Sequence, residues 1–582
     1  MSSLPSPPSA LIDFTNPHGG AALRGCFEQP REVLVARQPG EVVPVVDAAW
    51  QQSLAGRWCV GYLRYEAAPA FEPRAEVHPA AGPLAWFAVF DRMLPWPALA
   101  DSDPGYAPMD WRATIDAARF AQDIERIHAA IAAGEVYQVN HTTRLHSRFE
   151  GSPRALFEAL RRAQPQGYLG WIDTGEGQLL SLSPELFFDW RDGRILSRPM
   201  KGTAPRGRTP GEDEAASRHL LSSEKERAEN LMIVDLIRND LSRIAEPFSV
   251  RVPRLFHTEA WPTVWQMTSD VEARTRAGVG LSEVFRALFP CGSVTGAPKL
   301  RAMHWIRALE DEPRGVYCGA VGVLSPGGAA TFNVAIRTLE LSPGGAAVCG
   351  VGSGITADAT AEAEHREWRV KQRFLDRAAR PFELLETLRL EQGQWQRLER
   401  HAARLQRAAR HFGYRFDPVA LHQATDDLQR VHPEGVWRVR LLLGPEGRVQ
   451  AEAWPLAATP GRQRVRLAGR AIDAGSEFVR FKTTRREAYE ALASSEPGVF
   501  DTLLWNEQGQ LTEFTRGNVA LRLDGRWLTP ALSCGLLDGI VREELIEQGR
   551  ITEAVLTPDD LERAEGLAFF NSLRGWIEVE LQ

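Results

Sequence analysis

The sequence changes character at Arg380-Pro381, and this change most constrains the fold. Before it, helical patterns alternate with strand-like segments; after it, ELLETLRLEQGQWQRLERHAARLQRAARHFGY predicts a hairpin and then a helix. The two halves do not resemble each other, and no internal repeat is present. We therefore expect four regions in the 582 residues: a disordered tail at 1–10, a β-rich part at 11–110, a core at 111–380 and a second unit at 383–582.

Composition excludes several classes of protein. Hydrophobic residues make up 44% and charged residues 25%, as in globular proteins, and the net charge of −7 comes without a basic run. We expect neither nucleic acid nor a membrane as partner. The start, MSSLPSPPSALIDF, lacks the features of a secretory signal, and the six cysteines lack metal-finger spacing. A cytoplasmic protein with reduced thiols is predicted.

Lysine is rare, which makes each lysine informative. Only five occur among 68 basic residues, namely Lys201, Lys225, Lys299, Lys371 and Lys482. Arginine keeps the positive charge but can neither act as a neutral amine nor form an imine. The remaining lysines are therefore candidates for chemistry, although any one of them can be a surface residue that was never replaced.

Two predicted helices each carry a pair of glutamates three residues apart. Glu226 and Glu229 lie on one face of SSEKERAENLMIVDLIRNDLSRI, and Glu364 and Glu367 recur in ATAEAEHREWRVKQ. The two faces together would offer the oxygen ligands that Mg²⁺ prefers. Simpler interpretations are a capping box from Ser223 to Glu226 and an ion pair from Glu367 to Lys371.

Three turn-rich segments complete the first half. GSVTGAPK (292–299) precedes a helix, so its amides could hold an anion, but it is not a Walker A loop. GVGSGI (350–355) lacks Rossmann spacing. RPMKGTAPRG (198–207) places Lys201 in a tight polar loop, where a plain surface charge would also be unremarkable.

These motifs together resemble the chorismate-utilising enzymes. The resemblance spans roughly residues 110–375 and rests on YQVN (137–140), SPELFF (183–188), PMKGT (199–203), KERAENLMIVDLIRNDL (225–241), GSVTGAPK, YCGAVG (317–322), AIRT (335–338) and GSGI followed by EAEHREW. It implies a large α+β or α/β unit, built as a sandwich of antiparallel sheets with outer helices.

The PMKGT loop resembles that of aminodeoxychorismate synthase, whereas anthranilate synthases typically carry PIAGT. The resemblance implies that Lys201 attacks chorismate C2 and that Glu185 protonates the departing C4 hydroxyl, after which ammonia enters at C4. Gln266 stands where anthranilate synthases carry a histidine linked to pyruvate elimination. No cysteine has the GxCxG context of a glutaminase, so a separate glutamine amidotransferase subunit, or ammonia in solution, is implied.

The resemblance also implies a set of binding residues. Glu229 and Glu367 would bind Mg²⁺ on a substrate carboxylate, with Glu226 and Glu364 completing the cage. Substrate contacts would come from Thr295, Tyr317, Arg337, Gly352, Gly354 and Lys371.

The second half resembles fold-type IV pyridoxal-phosphate enzymes, which include aminodeoxychorismate lyase and branched-chain aminotransferase. RFKTTRREAYEAL would supply Lys482 for the cofactor imine, and ERHAARL would supply Arg404 for its phosphate. LTEFTRGN would supply Glu513 for the pyridine nitrogen, with Asn518 five residues on. Gly539 and Ile540 would form the phosphate cup, where Val541 offers no hydroxyl. Taken singly, Arg404 could be a charge on a solvated helix face and Glu513 a hairpin-edge residue.

The two halves make consecutive chemical sense, because the first would produce 4-amino-4-deoxychorismate and the second would release pyruvate from it to leave 4-aminobenzoate. The C-terminal unit would have two subdomains and could form a homodimer. Two alternatives remain open: an anthranilate-type synthase fused to a transaminase, and a second half that serves only for dimerisation or binding.

Overall fold

The computed structural model describes residues 9–98, 105–205, 210–261, 264–459 and 461–582. The chain divides into two compact units, Met1–Pro381 and Phe382–Gln582. Residues 1–8 of the predicted tail lie outside the described residues, whereas Ser9 and Ala10 already belong to the first strand. Among the described residues, no helix combines the length and apolar character needed to cross a membrane.

The first unit alternates strands and helices along the chain. Its strands are β1 (Ser9–Phe14), β2 (Leu23–Phe27), β3 (Glu32–Ala36), β4 (Trp58–Leu63), β5 (Ala85–Phe90), β6 (Arg112–Ala113), β7 (Gln138–Arg148), β8 (Tyr168–Asp173), β9 (Gln178–Ser183), β10 (Leu186–Arg191), β11 (Arg194–Arg198), β12 (Met200–Pro205), β13 (Arg251–Ala260), β14 (Val264–Arg274), β15 (Gly296–Ala297), β16 (Ala320–Leu324), β17 (Ala330–Val334), β18 (Thr338–Leu341) and β19 (Ala346–Ile355). Its helices are α1 (Pro39–Leu54), α2 (Ala68–Phe71), α3 (Ala117–Ala132), α4 (Pro153–Ala163), α5 (Pro210–Ser222), α6 (Glu224–Ser242), α7 (Leu281–Leu288), α8 (Lys299–Leu309) and α9 (Ala361–Ala378).

Two antiparallel sheets form a sandwich in this unit. One runs β15-β7-β19-β18-β9-β8-β1-β2, with β6 beside β7, and the other runs β12-β14-β11-β10-β17-β16-β4-β5-β3, with β13 beside β14. Their facing sides share a buried apolar core that includes Ile12 and Ile172 from the first sheet and Tyr62 and Trp86 from the second. Two further cores lie beneath the outer helices. The predicted sandwich with outer helices is confirmed.

Helix α1 was missed by the sequence analysis, which predicted a β-rich segment there. Two prolines, Pro39 and Pro44, suggested turns. In the structure Pro39 occupies the first helical position, where its missing N–H costs no hydrogen bond. Val42, Val46 and Ala49 then form the buried stripe, so the helix is stabilised by packing that local propensity does not show.

The second unit contains two separate sheets. Its strands are β20 (Leu384–Glu391), β21 (Gln394–Gln396), β22 (Val436–Leu443), β23 (Val449–Pro455), β24 (Gln463–Leu467), β25 (Asp501–Trp505), β26 (Leu511–Phe514), β27 (Asn518–Leu523), β28 (Arg526–Pro530), β29 (Thr552–Ala554), β30 (Gly566–Asn571) and β31 (Gly575–Leu581). Its helices are α10 (Leu398–Phe412), α11 (Pro418–Val431), α12 (Glu477–Arg480), α13 (Glu487–Glu490), α14 (Ile540–Glu547) and α15 (Asp560–Arg563).

The first of these sheets runs β21-β20-β22-β23 and packs on α10 and α11. The second runs β26-β25-β24-β31-β30-β27-β28-β29 around its own apolar core. The predicted hairpin followed by a helix after residue 383 is confirmed as β20, β21 and α10. Each sheet has its own core, which agrees with a unit built from two subdomains.

Candidate active sites

Glu185 is a buried carboxyl group between β9 and β10. Its backbone N–H donates to Ser183 Oγ at 3.2 Å, which holds the turn, and its side-chain Oε1 is buried without a hydrogen-bond partner. Burial raises the pKa of Glu185 to about 7, although the Ser293 hydroxyl and the Lys201 charge oppose this rise. A carboxyl group with this pKa is suited to donate a proton near neutral pH.

Lys201 lies on β12 and approaches β19 closely. A Cβ atom on Gly354 would lie 3.2 Å from Lys201 Nζ and 2.2 Å from the Gln138 amide nitrogen, so a side chain at 354 would displace both. Among the described side chains, no carboxylate oxygen lies within 4.0 Å of the Lys201 ammonium. The lysine therefore reaches the inner face of the sandwich unpaired.

The side chain of Gln266 holds the loop that carries Lys201 through two hydrogen bonds. Its side-chain amide donates to the Gly202 carbonyl at 2.8 Å and accepts from Thr203 Oγ1 at 2.9 Å. Gly202 has a φ of +87°, and a Cβ atom there would lie 2.9 Å from Glu226 Oε2. Glycine and glutamine thus set the conformation of PMKGT, a role that sequence reasoning did not assign to Gln266.

The two predicted glutamate pairs are brought together. On α6, the pKa values of Glu226 and Glu229 are raised by burial first, with Glu367 adding to the rise in both. On α9, burial and then the charge of Glu367 raise the pKa of Glu364, whose Oε2 accepts from Ser353 Oγ at 2.6 Å. These four carboxylates thus share one electrostatic environment, which favours binding of a cation.

The carboxylates do not form a closed cage as they stand. Within the described ranges, no group of three acidic, histidine or cysteine side chains is arranged to enclose a metal ion. Glu367 instead binds Lys371 at 2.7 Å. Burial raises the pKa of Glu367, but the charges of Lys371, Lys201 and Lys225 together outweigh it and lower this pKa. The ion pair from Glu367 to Lys371, which was the simpler interpretation of the sequence, is therefore present. Carboxylates that repel one another can still bind a hard cation that keeps water and substrate oxygens among its ligands.

Other predicted substrate residues surround this cluster. Gly352 lies on β19, where its carbonyl accepts from Lys371 Nζ at 2.9 Å, and its absent side chain leaves room for the His141 carbonyl. Thr295 is fully buried and donates to the Cys291 carbonyl at 3.0 Å. The loop therefore uses the Thr295 hydroxyl internally, and it is followed by α8, as predicted.

Tyr317 and Arg337 are less available than their predicted roles suggest. Tyr317 is buried against Gly350, where a Cβ atom would lie 2.1 Å from its ring, and the Arg144 guanidinium lies 5.4 Å from that ring. Arg337 contacts Gln164, and burial lowers its pKa to about 10. Burial disfavours the charge of Arg337, and this residue has no acidic partner within the described residues. Arg337 is therefore a better candidate than Tyr317 for binding an anion.

A buried ion network that was not predicted from the sequence lies beneath the site. Glu310 binds Arg314 at 2.6 Å and Arg144 at 2.9 Å, and its pKa is lowered to about 2 because these charges outweigh burial. Arg314 also donates to the carbonyls of Asn140 and Val294, both at 2.7 Å. The network therefore connects the YQVN segment to the GSVTGAPK segment. Its only signal in the sequence was Arg314, in the segment before YCGAVG.

Lys482 is the half-buried lysine of the second unit. Burial first, and then the charges of Arg486 and Arg404, lower its pKa to about 7. Its carbonyl accepts from the Leu385 N–H at 3.0 Å, which fixes the segment along β20. An amine with this pKa can become neutral near neutral pH and act as a nucleophile.

Arg404 is held by Glu386 rather than exposed on a helix face. Its side chain is 12% exposed and binds Glu386 through Nε at 2.8 Å and Nη2 at 2.6 Å. A third donor, Nη1, reaches the Asp538 carbonyl at 3.0 Å, directly before Gly539. The structure thus places Arg404 next to the segment predicted to form the phosphate cup. It rules out the alternative that Arg404 is a charge on a solvated helix face.

Glu513 lies on β26, which forms a hairpin with β25 at the edge of its sheet, but its side chain is buried rather than exposed at that edge. Its Oε1 accepts from Tyr489 Oη at 2.8 Å and from the Leu537 N–H at 3.1 Å. Burial raises the pKa of Glu513 to about 7, and the tyrosine, which the sequence analysis did not single out, opposes that rise. The carboxyl group is therefore fixed in position by two hydrogen bonds.

The predicted phosphate cup lies at the start of α14. Gly539 precedes its first residue, Ile540, and a Cβ atom on Gly539 would lie 1.9 Å from Asn518 Oδ1. Asn518 also donates to the Leu537 carbonyl at 3.0 Å. Val541 is buried in a small apolar cluster, so the cup offers backbone N–H groups and no hydroxyl at that position.

Two family models match the chain. Residues 28–377 match the chorismate binding enzymes, and residues 383–581 match amino-transferase class IV. The family expectations for both halves are thereby confirmed.

Known relatives match less than half of the chain. Aminodeoxychorismate synthase component 1 of Klebsiella aerogenes is 43% identical over 257 residues, 44% of this chain and 57% of that protein. Aminodeoxychorismate synthase of Streptomyces griseus is 46% identical over 253 residues, 43% of this chain and 35% of that protein. The chain thus spans less than two thirds of the length of these relatives.

Solved structures share the fold of the first unit. Anthranilate synthase component I from Streptococcus pneumoniae TIGR4 superposes with a TM-score of 0.51 at 25% identity, covering 65% of this chain and 93% of that one. A putative isochorismate synthase, DhbC from Bacillus anthracis, gives a TM-score of 0.52 at 20% identity, covering 64% of this chain and 96% of that one.

Proposed function

This chain belongs to the chorismate binding enzymes, and from that premise we propose that it aminates chorismate to 4-amino-4-deoxychorismate and then releases pyruvate to leave 4-aminobenzoate. The observation that carries the first step is the position of Lys201. It reaches the sandwich interior near Gly354 and carries its charge close to Glu185. Chorismate-binding relatives named aminodeoxychorismate synthase support this choice of product.

The first reaction divides between two residues. Lys201, as a neutral amine, forms a bond to chorismate C2 while Glu185 protonates the C4 hydroxyl, which leaves as water. Ammonia then bonds to C4, the bond between Lys201 and C2 breaks, and the ring diene returns. Chorismate and ammonia are thereby converted to aminodeoxychorismate and water.

Mg²⁺ is proposed at the four glutamates. Glu229 and Glu367 would bind the ion, and Glu226 and Glu364 would complete its surroundings through water. The ion would supply positive charge against a substrate carboxylate. Its binding requires Glu367 to turn away from Lys371, which would leave the lysine free to contact substrate.

Ammonia is proposed to come from a separate glutamine amidotransferase subunit. The component 1 naming of the relatives supports a partner of this kind. Ammonium at high concentration would replace it in a test with the isolated chain.

The second unit is proposed to use pyridoxal phosphate, attached at Lys482. Arg404 and the N–H groups near Gly539 would bind the phosphate, and Glu513 would face the ring nitrogen. The group would supply an electron sink for elimination. The amine of Lys482, with its lowered pKa, would then accept and return the substrate proton.

Product analysis tests the proposal. Chorismate, Mg²⁺ and ammonium are supplied to the full chain with and without pyridoxal phosphate, and the products are separated by HPLC. We expect aminodeoxychorismate without the cofactor, and 4-aminobenzoate and pyruvate with it. Anthranilate as the main product would contradict the proposed synthase, and cofactor-independent 4-aminobenzoate would contradict the proposed lyase.

One alternative has a specific observation behind it. Anthranilate synthase component 1 of Aquifex aeolicus is 39% identical over 269 residues, so an anthranilate-type first unit is a second candidate. In that case the second unit would be a transaminase. It would need an amino acceptor and would yield a keto acid, whereas the lyase yields pyruvate from one substrate.

A further inference from the structure

Two arginines lie opposite each other on the small sheet of the second unit. Arg389 on β20 is the register partner of Arg438 on β22. Like charges in directly opposed positions destabilise a strand pair. Glu391 binds Arg389 at 3.1 Å, but Arg389 Nε is buried without a hydrogen-bond partner. Glu391 therefore offsets the charge of Arg389, whereas neither strand supplies an acidic partner for Arg438.

A third arginine comes from the turn between β30 and β31. Arg389 donates to the Leu573 carbonyl at 3.4 Å, which brings the next residue, Arg574, to this sheet. Arg574 donates to Thr459 Oγ1 and to the Ala457 carbonyl, both uncharged. Burial, followed by the charges of Arg516 and Arg438, lowers the pKa of Arg574.

Two of the three arginines lack an acidic partner among the described residues. Across the part of the second unit that the structure describes, no carboxylate lies within 4.0 Å of either Arg438 or Arg574. Arg516 differs because it binds Asp501 at 3.2 Å. Guanidinium groups that have no counter-charge, such as those of Arg438 and Arg574, are suited to an anion.

A short series of contacts joins the turn to the candidate cofactor pocket. Ser572 Oγ lies 2.7 Å from His401 Nε2, and His401 Nδ1 lies 2.7 Å from Glu386, the residue that holds Arg404. The turn that carries Arg574 is thus linked through His401 and Glu386 to Arg404, and none of the three arginines is a proposed cofactor contact.

We propose that Arg574, together with Arg389 and Arg438, forms a carboxylate-binding subsite that makes the second unit selective for a substrate with two carboxylates. This inference rests on the proposed function of that unit. A planar guanidinium binds a carboxylate through two parallel hydrogen bonds, which fixes its orientation as well as its charge. A substrate with one carboxylate would leave the arginine charges unpaired.

The test uses the full chain loaded with pyridoxal phosphate and two unreactive probes, isophthalate with two carboxylates and benzoate with one. Each is titrated against the absorbance of the bound cofactor. In the unchanged chain we expect isophthalate to bind more tightly. Arg574→Gln should weaken isophthalate by roughly tenfold, as loss of a charged hydrogen bond does, and change benzoate less than about twofold. Arg526→Gln, on an exposed hairpin, is the matched control and should change neither.

Equal binding of the two probes, or an Arg574→Gln variant that binds isophthalate normally, would overturn the subsite. If Arg574→Gln fails to fold, the exposed Arg438→Gln carries the same expectation. For aminodeoxychorismate, the subsite predicts a higher KM in Arg574→Gln with a smaller change in kcat. A chain that never acquires cofactor absorbance would instead contradict the proposed function, so the two failures are distinguishable.

Discussion

The Lys371 ammonium lies 2.7 Å from the Glu367 carboxylate and 2.9 Å from the Gly352 carbonyl. One lysine thus links the metal candidate on α9 to the glycine-rich strand β19. Because Glu367 is 48% exposed, the pair can separate at little cost, since exposed ion pairs contribute little to stability.

Replacing Glu367 by Gln should weaken Mg²⁺ binding by at least roughly tenfold, because a charged oxygen ligand becomes a neutral amide. Mg²⁺ titration by calorimetry measures this, and chorismate turnover at low Mg²⁺ should collapse in parallel. Glu362→Gln, exposed in the first turn of the same helix, is the control. Near-normal metal binding in Glu367→Gln would show that the two helices do not share an ion.

Replacing Lys201 by Arg should abolish aminodeoxychorismate formation although the charge is kept, because a guanidinium cannot act as the nucleophile. Lys201→Ala should leave at most a trace of anthranilate-like product from direct amination. Pyruvate release from supplied aminodeoxychorismate should be unchanged in both variants. Full synthase activity in Lys201→Arg would mean that Lys201 only binds a substrate carboxylate and is not the nucleophile.

The synthase should lose activity as pH rises through about 7. Burial raises the pKa of Glu185 to about 7, so the group is a protonated acid below that pH and an ineffective carboxylate above it. The expected result is a falling alkaline limb in kcat for chorismate amination. Glu185→Gln should lower kcat by roughly two to four orders of magnitude and remove that limb. If the alkaline limb persisted in Glu185→Gln, the group that titrates would be a residue other than Glu185.

Replacing Lys482 by Arg should prevent covalent cofactor attachment and stop pyruvate release, while aminodeoxychorismate accumulates. Lys482 is the only lysine after residue 383. Borohydride reduction and peptide mapping of the unchanged chain should therefore place the label on residues 481–483. Labelling of Lys201 or Lys371, or normal 4-aminobenzoate from the variant, would refute the assignment.

Tyr489→Phe should weaken pyridoxal phosphate binding by roughly tenfold, because Glu513 loses a hydrogen bond that favours its charged form. The pH at which the cofactor absorbance titrates should also shift. Tyr414→Phe, whose hydroxyl donates to the Phe382 carbonyl at 2.7 Å, removes a comparable bond elsewhere in the unit and should leave both unchanged. Equal effects in the two variants would indicate a purely structural role for Tyr489.

Several features could be predicted from sequence alone because they depend on short-range patterns. The helices beginning at Glu224, Lys299 and Ala361 follow from local sequence patterns, and they lie where predicted. The change at Arg380-Pro381 and the isolated Lys482 are likewise visible in the printed sequence. Helix α1 was missed because its prolines suggest turns until packing shows which face is buried.

The sequence by itself determined which residue types were available: five lysines, two glutamate pairs and the order of the motifs. Tertiary structure decided their states and partners. Glu185 and Glu513 gain pKa values of about 7 because burial penalises their charges. Glu310 instead keeps its charge in an equally buried place because Arg314 and Arg144 reach it. Such environments are made by residues distant in the chain, so they exist only once the sheets have packed.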